Sequence, residues 1–183
     1  MGCPISILEN IKGVCKVAGG VYKLALGNFD DVTGKTLTTG TNGEKHISAI
    51  TQVVSSKFKV YEAEIGNIGL TSKMNISREN GAIGVESDLT LILNNISEED
   101  FVQLQTMIDC GELVALLETN SQKLELLPNT QTIYLGYDNP IKISALDINY
   151  GTSRGDGIKC TISLKDYSNE LPYTSTVAIS SVV

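Results

Sequence analysis

The stretch Val85–Glu118, VESDLTLILNNISEEDFVQLQTMIDCGELVALLE, decides the fold class, because the hydrophobic period changes twice inside it. From Val85 to Leu93 the side chains of Leu89, Leu91 and Leu93 point one way, the mark of a strand with one buried face, with Ile92 near its buried end. Ser97, followed by Glu98, Glu99 and Asp100, then supplies an N-cap and an acidic first turn that complement the positive end of a helix. Phe101, Leu104 and Ile108 recur at helical spacing, and Gly111 is placed to end the helix in a left-handed conformation. The spacing therefore predicts one helix, about residues 98–109, with that stripe against a sheet. Strand character returns at Leu113 to Glu118.

On either side of this stretch, β-branched residues and period-two alternation dominate, punctuated by Gly, Asn and Asp. Upstream, Val21–Leu26 predicts a first strand, residues 28–45 a long polar loop or arm, and Ile47–Val54 and Phe58–Ile65 two more strands. Leu70–Arg78 predicts another, with Leu70, Ser72, Met74 and Ile76 on one face and Gly81 in the turn that follows. Downstream, a turn at Asn120 and Ser121 leads to strands at Leu124–Leu127, Ile133–Tyr137, Ile141–Tyr150 and Ile158–Leu164. The expectation is a mainly β fold, a sandwich or curved sheet with one packed helix, against a small closed barrel as the competing architecture.

Composition narrows the function classes. The chain has 183 residues, of which 42% are apolar and 19% charged, with no shift in character along it, so one domain over residues 1–183 is expected. No apolar run is long enough for a membrane span and the first residues lack a secretory pattern, so a soluble chain with no membrane partner is expected. A net charge of −7 argues against binding along nucleic-acid phosphates. Cys3, Cys15, Cys110 and Cys160 show no paired spacing and His46 stands alone, so no metal site is assigned. Cys110 and Cys160 read as small core residues, while a bond between Cys3 and Cys15 stays open.

Four short motifs imitate sites. Thr33-Gly34-Lys35-Thr36 copies the end of a phosphate-binding loop, but Phe29 stands where the loop's first glycine belongs, and Asp30 and Asp31 would repel phosphate. Met1-Gly2-Cys3-Pro4-Ile5-Ser6 fits the loose pattern for N-terminal acylation without the basic flank that helps anchoring. Arg154-Gly155-Asp156-Gly157 is accounted for by a tight turn between strands. Glu98, Glu99 and Asp100 are helix-start charges rather than catalytic carboxylates, and His46 reads as a loop residue rather than a general base. Tyr134, Tyr137, Tyr150, Tyr167 and Tyr173 could form a sugar platform, yet tryptophan is absent and several of these alternate like ordinary strand residues. No catalytic, cofactor-binding or metal residue is assigned, and no enzyme is expected.

Taken whole, the sequence resembles a group of virion structural proteins of tailed phages that infect Bacteroidetes, crAss-like phages among them. The resemblance runs through Gly19-Gly20-Val21-Tyr22-Lys23-Leu24-Ala25-Leu26, Phe58-Lys59-Val60-Tyr61-Glu62-Ala63 and Asn80-Gly81 before Leu89-Thr90-Leu91-Ile92-Leu93. It continues through Val114–Asn120, the turn Leu135-Gly136-Tyr137-Asp138-Asn139, Gly155-Asp156-Gly157, and Leu164-Lys165-Asp166 through Glu170-Leu171-Pro172. Pro140 departs from the glycine that usually closes the Leu-Gly turn.

The resemblance implies a tail-tube-like fold without catalytic residues. Subunits would pair sheets side by side into a homo-oligomeric ring of six-fold symmetry or a multiple of it, with the helix outside. The ring would belong to the tail tube or tail barrel of a virion, contact adjacent tail or connector proteins, and pass DNA non-specifically through its lumen. The acidic balance is consistent with a lumen to which DNA does not stick. Under that reading residues 28–45 and 173–183 are expected to be inter-subunit arms, the latter alternating Val177, Ile179 and Val182 imperfectly. The competing readings are another β-rich virion part, such as a capsid decoration or fibre component, and a non-catalytic soluble binding module.

Overall fold

The computed structural model describes residues 20–40, 45–53, 57–62, 67–76, 83–94, 97–119, 132–151 and 157–182. In chain order these form β1 (Val21–Asn28), β2 (Val32–Thr39), β3 (Lys45–Gln52), β4 (Lys59–Glu62), β5 (Ile68–Ile76) and β6 (Ile83–Asn94). Helix α1 (Glu98–Cys110) follows, then β7 (Leu113–Thr119), β8 (Thr132–Leu135), β9 (Lys142–Asn149), β10 (Lys159–Ser168), β11 (Tyr173–Ser175) and a 3-10 turn at Ile179–Ser181. Among the described residues the protein is mainly β, with two sheets and one short α-helix. A seven-stranded sheet runs β2-β3-β11-β8-β7-β1-β4 and a four-stranded sheet runs β5-β6-β10-β9. The strands expected at Leu124–Leu127 and the turns at Asn120, Ser121 and Gly81 lie outside the described residues.

Strict alternation builds the four-stranded sheet. On β6, Val85, Ser87, Leu89 and Leu91 are buried, and on β10 Cys160, Ile162, Leu164 and Asp166 are, while the residues between them are half-buried or exposed. Of these, Leu89, Leu91, Cys160, Ile162 and Leu164 meet Val21, Leu24, Leu26, Leu113, Ala115, Leu117 and Leu135 of the seven-stranded sheet in one core. Two sheets sharing a core in this way make a sandwich.

At β7 the alternation fails for a physical reason. Leu113, Val114, Ala115, Leu116 and Leu117 are all buried, because the seven-stranded sheet is covered on both faces. Leu113, Ala115 and Leu117 enter the inter-sheet core, whereas Val114 and Leu116 join a second core with Ala25, Ile47, Phe58, Tyr134, Tyr173, Ile179 and Val182.

That second core corrects both expected arms. Instead of a loop, most of residues 28–45 is β2, paired antiparallel with β3 from Val32↔Gln52 to Thr39↔Lys45. Register shifts between Val32 and Gly34 and between Thr36 and Leu37 break the period that would have marked it as a strand. The C-terminal stretch is likewise built into its own subunit. β11 lies between β3, which it meets in parallel at Thr174↔His46, and β8, which it meets antiparallel at Tyr173↔Tyr134. Beyond it Ile179 and Val182 are buried, and the Val182 carbonyl accepts from Phe58 N–H at 3.1 Å and Gln52 Nε2 at 3.2 Å.

The helix spans 98–110, one residue beyond its expected end, and its buried stripe is rotated. Leu104 is buried in the inter-sheet core with Phe101 and Met107 beside it, while Ile108 is exposed. The core-facing residues thus stand three apart, which narrows the seam to the side facing the two sheets. Gly111 carries a φ of +62°, the expected left-handed end, and its N–H bonds the Met107 carbonyl at 3.0 Å.

Candidate functional site

The turn Leu135-Gly136-Tyr137-Asp138-Asn139 ties together elements far apart in sequence. Gly136 has a φ of +84°, and a Cβ there would lie 3.1 Å from the Leu113 carbonyl oxygen and 3.2 Å from Val114 Cγ1. A side chain there would need β7 to give by a few tenths of an ångström, on a backbone conformation that L residues rarely adopt. Gly136→Ala is therefore expected to cost about 1–3 kcal/mol from left-handed strain and crowding together. Chemical denaturation with an unchanged m-value checks this.

Lys35 of the phosphate-loop imitation reaches this turn. Its Nζ donates to the Gly136 carbonyl at 3.2 Å and the Tyr137 carbonyl at 2.6 Å. It also lies 4.5 Å from the Phe29 ring centre, 5.2 Å from that of Tyr137 and 5.7 Å from that of Tyr134. Burial lowers its pKa from the ordinary lysine value, opposed by the Asp138 carboxylate. This amine is a pin that folds the β2–β3 hairpin over the second core, held by carbonyls and ring faces. Two of its three N–H donors are committed to these carbonyls. Sequence reasoning missed this role because the signal is non-local: Lys35 and Tyr137 stand 102 residues apart.

Tyr137 in turn lies against Tyr173, ring centres 4.7 Å apart. The Tyr173 hydroxyl donates to Glu170 Oε2 at 2.6 Å, and Lys45 Nζ lies 3.2 Å from Glu170 Oε1, fixing the start of β3 to the approach to β11.

Beneath the same turn, the buried carboxylate of Asp166 accepts from Gly136 N–H, while its Oδ1 has no partner among the described residues. Burial raises its pKa above the usual aspartate value, the Gly136 N–H holds it partly back, and Asp138 raises it further. The folded state then binds this proton more tightly than the unfolded one. Its contribution to stability is greatest below the unfolded-state pKa, near about 3.9, and is lost as pH rises through the raised folded value. Comparing denaturation of the wild type and Asp166→Asn between pH 3 and 7 is expected to show that loss in the wild type and its absence in the variant.

The other tempting residues disperse. His46 sits in β3, half-buried, opposite Thr38 on β2 and in bridge with Thr174 of β11. Of the tyrosines proposed as a sugar platform, Tyr134 and Tyr173 are buried and Tyr137 packs against the second core, leaving Tyr150 and Tyr167 exposed. Cys160 is a buried free thiol whose pKa burial pushes up. Glu99 is exposed at the helix start. The side chains of Glu98, Asp100 and Cys110, and residues Met1–Ser6, Cys15 and Arg154–Asp156, lie outside what the structure describes. Among the described residues no three His, Cys, Asp or Glu side chains gather into a metal-sized group, and no helix is long and apolar enough to cross a membrane.

A further candidate is the four-stranded sheet. It ends on β5, nine residues long, and on β9, eight residues long, neither paired on its far side among the described strands. Its outward face carries Lys73, Lys142, Lys159 and Lys165 against Glu86, Asp88 and Asp147. Lys165 bonds Glu86 and lies 3.5 Å from Asp88 across the strands. The hydrogen bond holds the Glu86 carboxyl below the usual range. This face is close to charge balance rather than acidic. At the end of the sheet, a shallow groove of about 310 Å³ is lined by Asn75, Gly84, Glu86, Asn139, Tyr167 and Asn169 among others. No family model, curated protein or solved structure matches the chain.

Proposed function

We propose that this chain is a structural subunit of a phage virion that joins its four-stranded sheet edge to edge with neighbouring copies, closing a ring in the tail tube or tail barrel. One observation carries the reading. The sheet β5-β6-β10-β9 is antiparallel throughout, with two open edges of nearly equal length. In an antiparallel sheet of four strands the two outer ones run in opposite directions, so a neighbour rotated about a common axis brings its β5 antiparallel to β9 and the alternation continues. An open edge of this length is a liability in isolation, and ring closure removes it. The seven-stranded sheet is a poorer candidate, since it ends on β2 with eight residues and β4 with four.

In such a ring the covered face of the four-stranded sheet rests on the sandwich core, and its polar, charge-balanced face lines the channel. Mixed lysines and carboxylates, of which Lys165 already pairs with Glu86 and Asp88, offer DNA neither a basic track to bind nor an acidic wall. The resemblance to virion proteins of tailed phages supports the assignment to a tail and to neighbours among tail or connector proteins. The groove at Tyr167 favours a second reading, a non-catalytic binding module.

Electron microscopy of the purified protein over a concentration series, with mass by light scattering, separates the two. Rings or stacked tubes with a central hole are the expected result. A strict monomer at every concentration overturns the self-assembling ring in favour of the binding module, and a closed assembly without a hole favours a decoration or fibre part.

A further inference from the structure

Resting on that reading and deepening it, we infer that the contact between copies has one register: Lys73 of β5 stands opposite Asp147 of β9 in the next copy, with Met74 against Leu146 on the covered face. The occupant of each open edge is therefore a second copy of this chain.

The register follows from β9. Its pairing to β10 passes from Ser163↔Ala145 to Leu164↔Ile143, so Ser144 is an extra residue without a ladder partner, turned to donate its hydroxyl to the Ser163 carbonyl at 3.1 Å. Such a bulge ends regular pairing, which leaves Ala145–Asn149 as the run an incoming strand can follow. The incoming β5 must also keep its faces, because a slip of one residue would turn its apolar side outward. Lys73 shares the polar face with Thr71 and Asn75, opposite Asp88, Glu86 and Gly84 of β6. It can therefore stand opposite only Asn149, Asp147 or Ala145.

Charge and coverage choose among these. With Lys73 opposite Ala145, the polar Ser72 faces Leu146 and Met74 faces the bulged Ser144. With Lys73 opposite Asn149, β5 slides so far that only Lys73–Ile76 lie on the run. The middle register alone matches Thr71–Asn75 to all of Asn149–Ala145. It sets the single charge of β5 directly against the single carboxylate of β9, and covers Met74, which is 46% exposed in the free subunit. Both charged residues are exposed, so either can be reversed without disturbing the core.

The test uses the full chain. Lys73→Asp and Asp147→Lys, made singly, are each expected to raise the concentration for ring assembly on the order of fivefold or more, and the double exchange to return it towards wild type. Lys73→Cys with Asp147→Cys is expected to give intermolecular disulfides, identified by peptide mass, in preference to Lys73→Cys with Asn149→Cys. Rings whose assembly is indifferent to both single reversals, or whose cross-links favour Asn149, overturn this register and leave the ring standing. A wild type that stays monomeric overturns both.

Discussion

A chain shortened to end at Pro172 is expected to lose cooperative unfolding, although the eleven residues it lacks include a strand of only three, Tyr173–Ser175. β11 is the sole strand between β3 and β8 in the seven-stranded sheet, so without it the β2–β3 hairpin has no ladder to the rest. The Ile47 carbonyl would lose the Thr176 N–H at 3.0 Å, and Thr132, itself buried, would lose its acceptors at Ser175 and Val177. Tyr173, Ile179 and Val182 leave the second core together. At about 1.5–3 kcal/mol for each large apolar side chain, their burial alone is on the order of the whole stability of an ordinary domain, about 5–15 kcal/mol. Loss of a sigmoidal melt by circular dichroism checks this. A shortened chain that still melts cooperatively near the full-length temperature would mean that the hairpin docks through Lys35 and the cores alone. The same packing occupies the C-terminal segment within its own chain, between β3 and β8, so it is not a free strand to donate.

How much of this was legible in the sequence depended on how local each signal is. β6, β10 and the helix were readable because their patterns are complete within a dozen residues and each has one wet face. Gly111 was readable for the same reason, since a helix end needs only its own last turn. β2 was not: its two bulges break the period, only Val32 and Leu37 are apolar within it, and a lysine amine takes the place of a core side chain under three aromatic rings. β11 was not, because three residues pairing in parallel with a strand 128 positions earlier leave no local trace. Ile108 suits the buried stripe by spacing alone, since intervals of three and four both fit a helix, and only the position of the two sheets selects Met107 instead. The open edges are of the same kind. Alternation locates strands, but which strands stay unpaired is a property of the order in which they assemble.

The strongest single-residue effects are expected at the strand buried on both faces. Leu116 and Leu117 are both fully buried, Leu116 in the second core and Leu117 between the sheets. Truncating either to alanine removes its transfer free energy and leaves a cavity that the surrounding ladder cannot easily close, since β7 is held by β1 on one side and β8 on the other. Each is expected to cost about 2–5 kcal/mol, read as a shift in denaturation midpoint. Thr71→Ala, on the polar face of edge strand β5, is expected to stay within about 0.5 kcal/mol of wild type. The pair of leucines also reports on how the two cores communicate. Adjacent in sequence but facing opposite sides, they share a backbone and no cavity, so Leu116→Ala and Leu117→Ala combined should sum to within about 0.5 kcal/mol if β7 is a rigid partition. A combined loss well below the sum would mean that the first truncation already lets β7 shift, and that the second core and the sandwich core move as one body behind the four-stranded sheet.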